Sequence, residues 1–294
     1  MQINSTPTTP SNENIDLRQA VKYIDALPAI PIIAQKLLAL DIDTDESERE
    51  MLMLVEQDPQ ISAKIIGLSN STTLGSTRKT TSVKEAAILL GLNRVKSIAT
   101  GIAIMSLSTK VSTGKFKTQD LWLHSFGIAF AMLGIARAMP AKIRPKDDQV
   151  FLAGMLHDIG YLALAFLDPK RSDDLHVRLA MESDRPALQI EQEMLEICHD
   201  ELGAELAHHW NLPDEIITVL RYHHTPNVVE AAAGKPIVHM ISLAEKLLAS
   251  FGMNECVDAN ISDEDWEVLG IDPSKAEEIG VQVAEQAEQA ASVY

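Results

Sequence analysis

Apolar positions along this chain recur at intervals of three and four residues, the spacing that lays one stripe down an α-helix. The pattern predicts a first helix over 16–26, broken by Pro28 and Pro31, and a second with Ile32, Ile33, Leu37, Leu38 and Leu40 on its apolar face. Residues 45–57 predict a third, with acids in the first turn where the helix dipole favours them. Asp58-Pro59 opens the next as cap and first helical residue, and it carries Ile61, Ile65, Ile66 and Leu68. After a polar loop over 70–81 comes a helix–turn–helix pair. Ser82 caps its first helix and Gly91 closes it; Asn93 is expected to cap the second, which runs through Val95, Ile98, Ile102 and Met105.

The polar stretch 108–118, which contains Gly114, reads as a boundary between two helical halves. Beyond it, 121–139 carries a stripe at 121, 125, 128, 132, 135 and 139, with Gly127 and Gly134 admitting a close neighbour. Residues 149–166 are apolar almost all round, which predicts one buried central helix. Shorter helices follow over 186–197, 200–210, 213–222 and 236–251, with a last one near 275–291. No segment alternates with the period of a strand. The expected fold is all-α: two packed helical subdomains at 16–110 and 118–252, between a disordered start (1–15) and an acidic, partly helical tail (253–294).

Composition sharpens this picture. Aromatic residues make up only 4% of the chain, so its core must be Leu, Ile, Ala and Met, which favours helices. The formal charge of −17 disfavours nucleic acid and anionic membranes as partners. That charge is uneven, because residues 254–294 hold eleven acids and one Lys. No apolar stretch approaches the ~20 residues of a membrane span, and the polar start lacks the basic and apolar regions of a signal peptide. Cys198 and Cys256 form no disulfide framework or metal knuckle, so a reduced cytoplasm is the expected location.

The chemistry centres on His157-Asp158, inside the most apolar segment. A carboxylate there costs several kcal/mol unless a cation or several hydrogen bonds compensate it. The pair alone fits a hydrogen-bonded structural Asp as well as a metal ligand. Other residues tilt the balance. His124 lies within about 40° of its helix's apolar stripe at 100° per residue. His199 begins a helix, His223-His224 ends one, and Glu245 sits amid the stripe of Ile237, Ile241, Ala244 and Leu248. Imidazoles with carboxylates suit Fe, Mn, Zn or Ni, as one or two ions. An adjacent His-Asp lets the Asp bridge two ions while the His holds one, as a two-metal hydrolase requires.

Four histidines are poor candidates. His208 is half a turn out of phase with His199, His209 is also off that face, and His176 and His239 read as surface residues. The helix–turn–helix region from Arg78 to Lys96 has five basic residues and only Glu85, which raises a nucleic-acid reading. Ordinary helix packing accounts for it better in so acidic a chain.

Several motifs together resemble the HDOD domain family. In the first half they are Leu27-Pro28-x-x-Pro31, Asp58-Pro59 with the helix ending Ser69-Asn70-Ser71, and the run from Lys84-Glu85-Ala86-Ala87-Ile88 to Leu90-Gly91. In the second half they are Leu121-Trp122-Leu123-His124-Ser125, the run from Phe151 to Gly160, His199-x-x-x-Gly203-Ala204, Trp210-x-Leu212-Pro213 and His223-His224. The resemblance covers roughly 18–250. It implies that the second subdomain is built like the core of HD phosphohydrolases, and that the chain works in bacterial signalling, contacting other signalling proteins. By similarity to the catalytic HD-GYP branch, the ligand positions fall on His124, His157, Asp158, His199, His223 and His224, with Glu245 in place of the usual last Asp. If the site is active, Asp158 is the bridging residue.

Two departures weaken the catalytic reading. The Lys that follows the HD-x-Gly motif in the active branch is Tyr161, and Thr225-Pro226-Asn227 stands where Gly-Tyr-Pro would be. The resemblance therefore favours a regulatory, protein-interacting module with bound metal. A metal-dependent phosphohydrolase acting on a nucleotide or other phosphoester is the alternative. Oligomeric state is left open.

Overall fold

Side-chain caps set the helix boundaries in the N-terminal half. In the computed structural model, which describes residues 16–21, 28–70, 79–110, 114–249, 253 and 259–291, α1 (Leu17–Ala20) starts on Asp16. α2 (Ile32–Ala39) starts on Pro31, and α3 (Asp45–Glu56) on the capping box of Thr44 and Ser47. Asp58 accepts from the backbone N–H groups of Gln60 and Ile61 to begin α4 (Pro59–Ser69). Ser82 does the same for α5 (Val83–Leu90) through Glu85. Gly91, at φ +90°, closes α5 and is also the N-cap of α6 (Leu92–Met105). The single left-handed residue makes the whole turn, so Asn93, the expected cap, is already the second residue of α6. The start expected to be disordered (1–15), residues 22–26 of the expected first helix, most of the 70–81 loop, residues 111–113 of the boundary and Cys256 lie outside the described residues.

The second half continues with α7 (Thr118–Ala138), α8 (Asp147–Leu156), α9 (Ile159–Leu167), α10 (Pro169–Met181), α11 (Ala187–Leu195), α12 (His199–His209), α13 (Asp214–Tyr222) and α14 (Ile237–Leu247). α15 (Asp263–Glu267) and α16 (Ala276–Ala291) complete it, and no strand occurs among the described residues. The core joins both halves, since α6 packs on α8 and the Lys64 ammonium lies 3.8 Å from the centre of the Trp122 ring. Phe130 meets Phe151 edge-on, tying α7 to α8.

Three sequence expectations need correction. The central helix is not continuous: it breaks at His157-Asp158, where Asp158 leaves helical geometry at φ −98°, ψ 15°. In an unbroken helix, successive side chains diverge by about 100°; the break is what lets both residues face one point. The acidic C-terminal stretch does not trail away. α16 packs along α7, burying Val283, Ala287 and Ala290, with Gly134 against Val283, and α15 buries Trp266. Finally, two segments, Thr118–Ala138 and Asp147–Leu167, are long and apolar enough to cross a membrane. They are 78% and 89% buried inside the protein, so the fold itself consumes that apolar surface.

The helix–turn–helix pair lies within this packing. Arg94 pairs with Asp147, and Lys96 donates to the Leu40 carbonyl. Two of the five basic side chains in that region are thereby engaged inside the protein.

Candidate metal centre

α7 turns His124 inward, and the α8–α9 break presents His157 and Asp158. His199 is the first residue of α12, His223 and His224 follow the last turn of α13, and Glu245 projects from α14. Close approach of α9 and α12 is needed to bring His199 to Asp158. Gly160 permits it, because a β-carbon there would overlap the His199 carbonyl. All seven residues singled out in the sequence come together.

Asp158 lies at the middle, fully buried, with its two oxygens facing different groups of rings. Oδ2 is 3.1 Å from His157 Nε2 and 3.3 Å from His124 Nε2. Oδ1 is 3.4 Å from His199 Nε2 and 3.5 Å from His223 Nε2. Within the first group the His124 and His157 Nε2 atoms stand 3.3 Å apart, and Glu245 Oε1 is 3.5 Å from His157 Nε2. Within the second, His199 Nε2 is 3.3 Å from His223 Nε2 and 3.0 Å from His224 Nε2. Donors that share an ion at bond lengths of about 2.1 Å stand roughly 3 Å apart. Two groups therefore have metal-holding spacing: Asp158, His199, His223 and His224, and His124, His157 and Glu245.

The electrostatics agree with that geometry. Burial pushes the His157 ring below the usual imidazole range, more strongly than Asp158 draws it up. Burial, with the neighbouring His223 and His199, holds His224 well below it. Neutral rings keep a lone pair free for a cation. Burial raises the Asp158 carboxyl, but the His157 ring beside it outweighs burial and holds the group below the usual carboxylate range. It lies fully in the interior, and neither oxygen receives an aligned hydrogen bond. A buried carboxylate of this kind would be stabilised by a cation, and the imidazole–carboxylate donor set fits a divalent transition metal.

Hydrogen bonds behind the donors fix their orientation. His157 Nδ1 donates to the Gly154 carbonyl at 2.9 Å and His223 Nδ1 to the Leu220 carbonyl at 2.8 Å, which directs both Nε2 atoms at Asp158. His199 has a different support. Its Nδ1 meets the Glu191 carboxylate at 2.8 and 2.9 Å, and that carboxylate also accepts the Tyr161 hydroxyl at 2.6 Å. Sequence reasoning overlooked Glu191, although a signal was present: it lies on the apolar face of α11 with Ala187, Ile190 and Leu195.

The remaining histidines stand apart from the centre. His208 is exposed and His209 half-buried. His239, expected at the surface, is buried because α14 is packed on several sides. His176 is half-buried, wedged between Phe116 and Tyr161.

Comparison with known proteins places the whole architecture. An uncharacterized protein of Treponema pallidum (strain Nichols) is 25% identical over 233 residues, covering 76% of this chain and 43% of its own. A structure from Marinobacter aquaeolei VT8, provisionally named a signal transduction protein, superposes with a TM-score of 0.75 over 95% of this chain and 64% of that one, at 21% identity. The chain thus spans less than two thirds of the length of these two relatives. An HDOD domain protein of unknown function from Geobacter sulfurreducens gives 0.71 at 26% identity, over 92% of this chain and 98% of that one. A provisionally named phosphohydrolase from Shewanella amazonensis SB2B gives 0.69 at 21%, over 94% and 98%. The likenesses at 21% speak to fold alone. The HDOD domain profile matches residues 27–226, well over half the sequence, and with that span the chain belongs to the HDOD family.

Proposed function

We propose that this chain is a bacterial signalling module that holds one or two divalent ions, of Fe, Mn, Zn or Ni, in its helical core and acts through contacts with other signalling proteins. The observation that carries the metal is Asp158, fully buried, with neither oxygen in an aligned hydrogen bond and each turned to a separate group of imidazoles. The ions would be held by His124, His157 and Glu245 on one side and by His199, His223 and His224 on the other, with Asp158 between them. One such ion would join α7, the α8–α9 break and α14, and the other the break, α12 and α13, so their presence would bear on the shape of the whole second half.

Tyr161 favours regulation over turnover. The residue at that position is completely buried with its hydroxyl on Glu191, so it offers no cation to a phosphate. Access is also narrow: of the site's side chains, His224 is 15% exposed and His124 6%.

A phosphohydrolase is the second reading, favoured by the full set of seven donors. A bound ion would supply an activated water; the chain would hold the donors and keep Asp158 ionised between the two groups. Elemental analysis of the wild type beside a His157→Ala, Asp158→Ala double variant, followed by a phosphoester panel, separates the readings. Metal in the wild type alone with no turnover supports the regulatory module. Turnover lost in Asp158→Ala establishes the enzyme, and metal in neither protein removes the ion from both.

A further inference from the structure

Glu191 is a carboxylate with no exposure, in the interior of an acidic protein and outside the set of seven donors. Three donors converge on it: the Tyr161 hydroxyl at 2.6 Å, the His199 backbone N–H at 2.7 Å and His199 Nδ1 at 2.8 Å. Tyr161 also lies flat on the His199 ring, with centroids 4.3 Å apart and planes 18° from parallel. The ring is thus gripped at its edge and along its face. His157 and His223 have backbone carbonyls behind their Nδ1 atoms, not a carboxylate.

We infer that Glu191 is the positioning residue for His199: its carboxylate holds the Nδ1–H tautomer, so that the Nε2 lone pair points at Asp158 Oδ1, and Tyr161 locks that carboxylate in place. The uncharged Tyr161, which stands where the active branch has Lys, is then part of the support of His199. A carboxylate behind an imidazole raises its basicity as a ligand, and loss of such a partner weakens metal binding by roughly 10–100-fold. The effect is local. It falls on the ion of His199, His223 and His224, and not on that of His124, His157 and Glu245. The metal part of this inference rests on the reading under Proposed function; the tautomer does not.

Gln is the informative replacement. Its amide oxygen can still accept from the His199 backbone N–H and Nδ1–H while its NH2 group donates to the Tyr161 hydroxyl, so Gln removes only the negative charge behind the ring, whereas Glu191→Leu removes the acceptor as well. The test is nitrogen-resolved NMR of the histidine rings in the full chain, first after chelation and then during titration with Zn²⁺. Expected are an Nδ1–H tautomer for His199 in the wild type and in Glu191→Gln, and loss of that preference in Glu191→Leu. Zn²⁺ uptake read at His199 and His223 should weaken roughly 10–100-fold, while that read at His124 and His157 stays within about threefold. A wild-type His199 protonated on Nε2 overturns the inference without any variant. Equal weakening at both ring pairs overturns it as well, since that is what general loosening of the fold would do. If the wild type takes up no Zn²⁺, the metal reading fails, and the tautomer comparison still decides the role of Glu191. Should Glu191→Gln not fold, Tyr161→Phe removes one of the three donors, and a smaller loss confined to the His199 side is expected.

Discussion

The indole N–H of Trp210 donates to the carbonyl of Pro28 at 2.9 Å, joining residues 182 positions apart. The bond ties the end of α12 to the segment that leads into α2, so the two halves share more than an apolar contact. Trp210→Phe keeps most of the buried ring and removes the donor. The expected loss is about 1–2 kcal/mol of stability, read as a lower urea midpoint with an unchanged slope. An unaltered midpoint would show that this bond contributes nothing.

Ion removal should destabilise only a protein whose centre is intact. An ion present at a hundred times its Kd adds about 2.7 kcal/mol to the native state. Urea unfolding with and without chelator should therefore differ by a few kcal/mol, on the order of that figure, in the wild type. The His157→Ala, Asp158→Ala variant should give two coincident curves. A chelator effect of equal size in both proteins would place the ion elsewhere.

In the chelated protein, acid should be destabilising from near neutrality. The His157 and His224 rings are held below their ordinary value of 6.5, so below 6.5 the unfolded chain binds protons that the folded chain refuses. Stability is then complete above 6.5 and declines as the pH falls toward the depressed values, by up to about 1.4 kcal/mol per pH unit for each ring. Urea titrations at successive pH values measure this slope, and His224→Gln should reduce it by one proton's worth. A slope of the opposite sign would mean that the rings are charged in the fold.

Gly160→Ala should damage fold and site together. Its β-carbon overlaps the His199 carbonyl, so α9 and α12 must separate. The expected cost is about 1–3 kcal/mol, with weaker Zn²⁺ uptake at His199 and His223. Native stability with undiminished uptake would show that the close approach is dispensable.

Much of this was legible in the sequence, for physical reasons that also explain what was not. Asp58 and Ser82 are strong local signals, since a short polar side chain before an apolar run has a backbone donor to satisfy, and both cap as expected. His124 and Glu245 could be placed because each interrupts a clear stripe. The break at His157-Asp158 was hidden because apolar residues run unbroken across it, from Val150 to Leu156 and from Ile159 to Leu167. Burial of α16 was hidden for another reason: among the described residues, two of its three buried positions, Ala287 and Ala290, are small, and acids surround them. His239 was misread because helical periodicity assumes one wet face, which α14 does not have. Glu191 went unnoticed for want of a motif; only its place on an apolar face marks it.

The donors are scattered from His124 to Glu245, and each adjacent pair supplies at most two of them. An unfolded or half-synthesised chain therefore holds no local chelate comparable to the finished one, unlike a zinc finger, whose ligands are close neighbours in sequence. During translation, most of the chain must emerge before Glu245 can join the other six. Metal uptake at this centre would thus come late, after the helices that carry the donors have met, and an ion held there would report that the helical core has assembled.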